Sequence, residues 1–230
     1  MPRIHDDEFG DITVRRSMRT SNVRISVAPN GTLRASMPRY TPLFILRRFI
    51  KSSRPNLRKM LAQQEPAYKL RNGMTIGKSH RLTVIEDAPK TSVKRVGQTI
   101  LVHLASGAAL TDATIEKEVR NVVQAALRLE AKSHLPKRLS YLAERNHCSY
   151  EKVRFSHASG RWGSCNSHGT ISLNIALMKL PFELIDYVII HELCHTKQMN
   201  HSPRFWALVE TADPEYKLHR KQLKSYSPTI

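Results

Sequence analysis

The stretch His191-Glu192-Leu193-Cys194-His195, with His201 close behind, constrains this 230-residue chain more than any other feature. Residues four apart on a helix lie on one face, one turn apart. A helix through 191–195 therefore aims two imidazoles at one point. A third reaches that point only if the chain leaves the helix soon after His195 and doubles back. The flanking residues agree. Leu184, Val188 and Ile189 recur at helical spacing, and Pro181 suits a first turn. Asn200 tolerates the left-handed conformation common just past a helix end, so the turn is predicted there. Ser202 and Pro203 read as the N-cap and first position of another helix.

These residue types carry a specific chemistry. Three imidazoles with an open fourth position are the ligand set of a catalytic zinc ion. His191, His195 and His201 are thus candidate ligands of Zn2+, although Mn, Co or Ni also suit three histidines. The Glu192 carboxylate projects beside the metal, the place for a general base toward a metal-activated water. A purely structural site usually fills all four positions with Cys or His. Cys194 projects off the ligand face and is expected to pack as a small hydrophobe. Glu210, on the following helix, is the alternative third ligand.

A second block, Gly160-Arg161-Trp162-Gly163-Ser164-Cys165, precedes the motif. Gly160 and Gly163 mark a turn after the strand-like Lys152–Ser156. Asn166–Gly169 reads as another turn, and Thr170–Asn174 as a short strand. Such a hairpin beside a metal can hold an extended substrate by strand addition. Arg161 suits a substrate carboxylate or phosphate, or a developing oxyanion, but a structural ion pair is an equal alternative. Trp162 reads equally as core. Arg161, Trp162 and Asn174 are the candidate substrate-binding residues. His168 is expected at the surface.

These two blocks, with Ile171–Asn174 and Asp186–Ile189 between them, resemble the YgjP-type metallopeptidase-like family, relatives of the SprT-like and WLM zinc proteases. The resemblance covers Phe155 to Tyr216. It implies a zincin-like fold, zinc held by His191, His195 and His201, and hydrolysis driven by Glu192. Both peptide and nucleotide phosphoanhydride hydrolysis have been attached to such proteins. The spacing is also similar to the longer metzincin pattern, but Gln198 stands where that pattern needs Gly.

Charge adds a second theme. The chain carries 37 Lys and Arg against 19 Asp and Glu, a net +18. No acidic residue lies between Ile12 and Gln64, and Arg47, Arg48, Lys51, Arg54, Arg58 and Lys59 crowd the end of that run. Such a field favours polyanions, namely nucleic acid, nucleotides or an anionic surface, over a merely solvated basic surface, without implying base specificity. The three cysteines are widely spaced and make no disulfide framework, so a cytoplasmic location is expected. The first residues lack the apolar segment of a signal peptide, and no membrane span is expected.

The expected architecture is α+β: a zincin-like catalytic domain with an active-site helix and adjacent β-hairpin, preceded by a small β-rich module. Residues 1–11 read as a flexible tail, 12–110 as the basic β-rich module and 111–230 as the hydrolase domain. Val23–Ala28, Asn30-Gly31 and Leu33–Met37 form a hairpin signal. A helix is expected from Leu43 to about Gln63, and strands at 82–85 and 99–104. Another helix should run from Ala113 to Ser133, broken by Pro136, with a second one after it. No internal repeat shows. The leading function is a zinc-dependent metallopeptidase acting on a peptide or protein substrate, with the basic module able to bring it near nucleic acid. The alternatives are a metal-dependent nucleoside triphosphate phosphohydrolase and a non-enzymatic nucleic-acid-binding protein with a structural metal.

Overall fold

The computed structural model describes residues 2–18, 20–27, 32–62 and 70–230. The protein is a mixed α+β structure with five α-helices and three small mixed sheets among these residues. It divides into two compact units, 1–69 and 70–230.

The first unit is one sheet and one helix. Its strands are β1 (Arg3–Asp6), β2 (Gly10–Ser17), β3 (Arg24–Val27) and β4 (Leu33–Pro38), in the order β1-β2-β4-β3. Alternating residues send Ile12, Val14, Leu33, Ala35 and Met37 to one face. Helix α1 (Leu43–Ala62) joins the same core through Leu46, Ile50 and Leu57. Arg47, Arg48, Lys51, Arg58 and Lys59 stay exposed. The expected pairing of β3 with β4 holds, with Arg24 opposite Ser36 and Val27 opposite Leu33. Its Asn30-Gly31 turn lies outside the described residues, as does Gln63. The expected flexible tail at 1–11 is instead the first strand and part of the second. Its charged sequence hides Ile4, which lies opposite Ile12 and is only 6% exposed.

The second unit begins with the same arrangement. Strands β5 (Thr75–Ile76), β6 (His80–Ala88), β7 (Ser92–Val96) and β8 (Thr99–Ala105) take the order β5-β6-β8-β7. In both sheets the second and fourth strands are parallel and the outer pairs antiparallel. In both, a long helix follows the fourth strand. The expectation of no internal repeat is therefore corrected at the level of topology.

The expected boundary at 110 is also displaced, to between 69 and 70. The cause is visible at helix α2 (Ala113–Arg145). Its Glu130, 7% exposed, accepts hydrogen bonds from Lys78 N (2.7 Å), Ser79 N (2.9 Å) and Ser79 Oγ (2.8 Å). His80 Nδ1 lies 2.6 Å from the same carboxylate. Gly77 makes this closure possible: its φ is +63°, and a Cβ there would collide with Glu130. The second sheet is thus tied to the helix that leads into the catalytic region.

Pro136 does not break α2. Buried Val123, Leu127, Ala131, Leu135, Leu139 and Leu142 keep one phase straight through it. A proline inside a helix costs about 3 kcal/mol. Burying each large apolar side chain returns about 1.5–3 kcal/mol, so one continuous stripe outweighs the break.

The third sheet contains β9 (Lys152–Ser156), β10 (Gly163–Cys165) and β11 (Thr170–Asn174), in the order β10-β11-β9. A 3-10 helix (Ile175–Lys179) then leads to α3 (Phe182–Lys197), α4 (Pro203–Ala212) and α5 (Tyr216–Leu223). Arg138 on α2 grips Asp186 on α3 with two hydrogen bonds, 2.7 and 2.6 Å. That bidentate pair fixes α3 against α2. Among the described residues no helix is long and apolar enough to cross a membrane.

Burial would raise the Glu130 pKa, but the His80 hydrogen bond and the Lys78 and Ser79 donors outweigh it and lower it from 4.5. A carboxylate lowered on folding stabilises the fold above its unfolded pKa and stops doing so as pH falls through its folded value. Glu130→Gln should therefore cost about 1–3 kcal/mol at pH 7 and flatten the acid limb of a urea-midpoint series below pH 4.5. Parallel acid limbs in the two proteins would refute this.

Candidate metal centre

Helix α3 is apolar for its first turns, with Leu184, Ile185, Val188 and Ile189 buried, and turns polar at His191. It ends at Lys197, and Gln198 leaves in extended backbone, φ −144°. The expected left-handed turn at Asn200 is absent. Among the described non-glycine residues only Asp87 and His147 have positive φ. Asn200 instead accepts a hydrogen bond from the Gln198 side chain at 2.7 Å. The second helix starts as expected: Ser202 Oγ accepts from Phe205 N at 3.4 Å and Pro203 takes the first position.

This bend brings His201 back to the helix. His191 Nε2 lies 3.3 Å from His195 Nε2 and 3.1 Å from His201 Nε2. The candidate ligand atoms all fall within 4.8 Å of one another. Phe205, fully buried, stacks on His195 at 4.5 Å and 27°. Trp206 stacks on His201 at 5.6 Å and 26°. The rings are held by packing as well as by the backbone.

The donor set fits a transition metal. A carbonyl only accepts, so the 3.1 Å contact from His195 Nδ1 to Gln198 O puts the ring proton on Nδ1. That leaves Nε2 as the ligating atom, the arrangement expected of a metal-bound histidine. Burial first, then His195, His201 and Arg220, pushes the His191 pKa down to about 3. Burial lowers His195 as well. Both rings are neutral at pH 7, the form that binds metal. Three imidazole nitrogens brought this close together are an arrangement that a bound cation would stabilise.

Glu192, next in sequence to His191, is 5% exposed. Burial pushes its pKa up to about 8, and the Arg161 cation opposes that. Gly163 on β10 lies directly against it: an added Cβ would sit 2.6 Å from Glu192 Oε1. A side chain at 163 would therefore displace the carboxylate. The sequence marked Gly163 only as a turn residue. Its φ is unremarkable, so no backbone signal identified its role.

The candidate substrate residues divide. Arg161 is exposed, and its charge reaches Glu192. Trp162 is half-buried, and its carbonyl accepts from Asn174 N at 2.9 Å. Asn174 is corrected: it is fully buried and spent on its own chain. Its Nδ2 donates to Ala158 O and Arg161 O, and its Oδ1 caps Ala176 N. It shapes the loop that carries Arg161 rather than touching a ligand. Glu210, the alternative ligand, points away and pairs with Lys217 at 3.3 Å. Cys194 is buried as expected, and His168 is exposed. The sequence reading missed the ring packing of Phe205 and Trp206, although their adjacency at the start of α4 was available.

The model of the YgjP-like metallopeptidase domain matches residues 21–226. The chain belongs to the YgjP-like family. A crystal structure of the metallopeptidase zymogen abylysin, from Pyrococcus abyssi, is similar at 27% identity and a TM-score of 0.37. That match covers 39% of the YgjP-like chain and 91% of abylysin. A search of the curated proteins gave no match. Family membership places the YgjP-like chain among proteins with a metallopeptidase domain, and its histidine cluster can hold a metal ion.

Single alanine substitutions at His191, His195 and His201 should each weaken zinc binding by more than about 100-fold, beyond the loss typical of an outer-shell partner. Chelator competition measures this. Glu210→Ala should leave zinc binding intact.

Proposed function

We propose that this chain is a zinc-dependent hydrolase that cleaves peptide bonds in a zincin-like site. The observation that carries the reading is the position of Glu192: next in sequence to His191, buried, and pressed against Gly163 beside the three converging imidazoles. His191, His195 and His201 would hold the zinc. When bound, zinc supplies Lewis acidity toward water and a substrate carbonyl. Glu192, drawn back to its carboxylate form by the charge of a bound cation, would take the proton from the attacking water and deliver it to the leaving amine. Gly163 leaves Glu192 the space to do so.

β10 is an edge strand beside Glu192, with β11 on its other side. An extended peptide can add to its open side and lie along the site. Arg161, whose charge reaches Glu192, would neutralise negative charge developing there. The exposed basic residues of α1 support contact between the first unit and a polyanion, so substrates bound to nucleic acid are the class to try first. The exposed Arg161 also favours the second reading, hydrolysis of a nucleoside triphosphate.

Glu192→Gln should lower kcat/KM for a peptide substrate by about 1,000-fold while zinc content is unchanged. A variant as active as the parent would end the general-base assignment. Gly163→Ala should reduce kcat by about 100-fold, the scale of a small misplacement at a reacting group. Steady-state kinetics with zinc analysis on each preparation reads both. Turnover of nucleoside triphosphates with no peptide cleavage would select the second reading.

A further inference from the structure

One cation near the histidines is used by nothing described so far. Arg220, on α5, is exposed and has its guanidinium 4.6 Å above the Trp206 ring. It makes no ion pair among the described residues. Its placement is built by the fold. Tyr216, one helical turn earlier, stacks on the same ring at 5.5 Å and 18°. His219, its neighbour, bonds Asp213 at 2.8 Å just after α4, with both side chains largely buried. These contacts lock α5 onto α4, and Trp206 itself stacks on His201. The Arg220 charge reaches His191, where it adds to the lowering by burial, and Tyr187, where it opposes the rise that burial causes.

An exposed guanidinium without a carboxylate, held rigidly one ring away from a metal ligand, is a prepared anion receptor. Its planar fork matches a carboxylate, and its ordering has already been done by the stacking. The Trp206 ring is engaged by His201, Tyr216, Phe205 and Arg220, so it offers no free platform for a nucleobase. That favours a peptide over a nucleotide.

We propose that Arg220 determines specificity by receiving a carboxylate of the peptide held at the histidine cluster. The proposal deepens the peptidase reading and rests on it. The carboxylate comes from an acidic side chain or from the peptide's own C-terminus.

Equilibrium binding to zinc-loaded full-length Glu192→Gln protein tests the idea without turnover. Fluorescence anisotropy would compare four labelled peptides: neutral or Glu-bearing, each with a free or amidated C-terminus. Tighter binding of about tenfold is expected for at least one carboxylate over the neutral amidated peptide, the scale of one charge-assisted hydrogen bond. The pattern across the four tells side chain from terminus. Adding Arg220→Ala should bring that preference to about one, and Arg220→Glu should shift it toward a Lys-bearing peptide. A support role for Trp206 would weaken all peptides alike and would not be reversed by Glu.

Absence of any carboxylate preference, absence of peptide binding, or a preference that survives Arg220→Ala overturns the proposal. The peptidase reading fails separately, when the parent protein binds these peptides with an Arg220-dependent preference yet cleaves none of them.

Discussion

Three imidazole nitrogens within 4.8 Å of one another are an arrangement the chain has to enforce. Left alone, such groups would rotate toward water or share protons. Here the apolar body of α3 sets two of them one turn apart. The extended exit at Gln198 returns the third, and the Gln198 carbonyl orients His195. Phe205 and Trp206 then pack against the rings. Much of the second unit serves this one convergence. Arg138 and Asp186 seat α3 on α2, and Glu130 seats the preceding sheet on the same helix.

The two units solve a shared problem with opposite charge placement. In the second, the helix supplies the carboxylate and the turn between β5 and β6 supplies the donors. In the first, the end of β1 supplies Asp6, the turn after it supplies Glu8, and α1 supplies Arg54, at 3.3 and 3.4 Å. The pairing scheme repeats while the residues that secure it do not. That explains why the repetition could not be seen in the sequence: what is duplicated is strand order and direction, not residue identity.

Much of the site was legible because its signals are local. Helical spacing, an N-cap serine and a proline at the first helical position are properties of adjacent residues. They located His191, His195 and His201 on a helix and its return. What stayed hidden depends on contacts between distant residues. Gly163 looks like a turn glycine until α3 is laid beside β10. Asn174 looks like a polar strand residue until its amide is seen bracing the 158–161 loop. Pro136 reads as a helix end because its cost is local, whereas the apolar stripe that overrides it spans the whole of α2. The same contrast explains the tail expected at 1–11, where Ile4 gains its importance only opposite Ile12.

The length of β10 has its own consequence. Three residues give about 10 Å of ladder. Any chain laid along that edge surrenders backbone freedom over only a few residues, at about 1–2 kcal/mol each. A short rail asks little ordering of what it receives and retains little hold afterwards. Under the peptidase reading, segments that are already slack would slip in, products would slip out, and discrimination would be left to the side chains at either end of the rail.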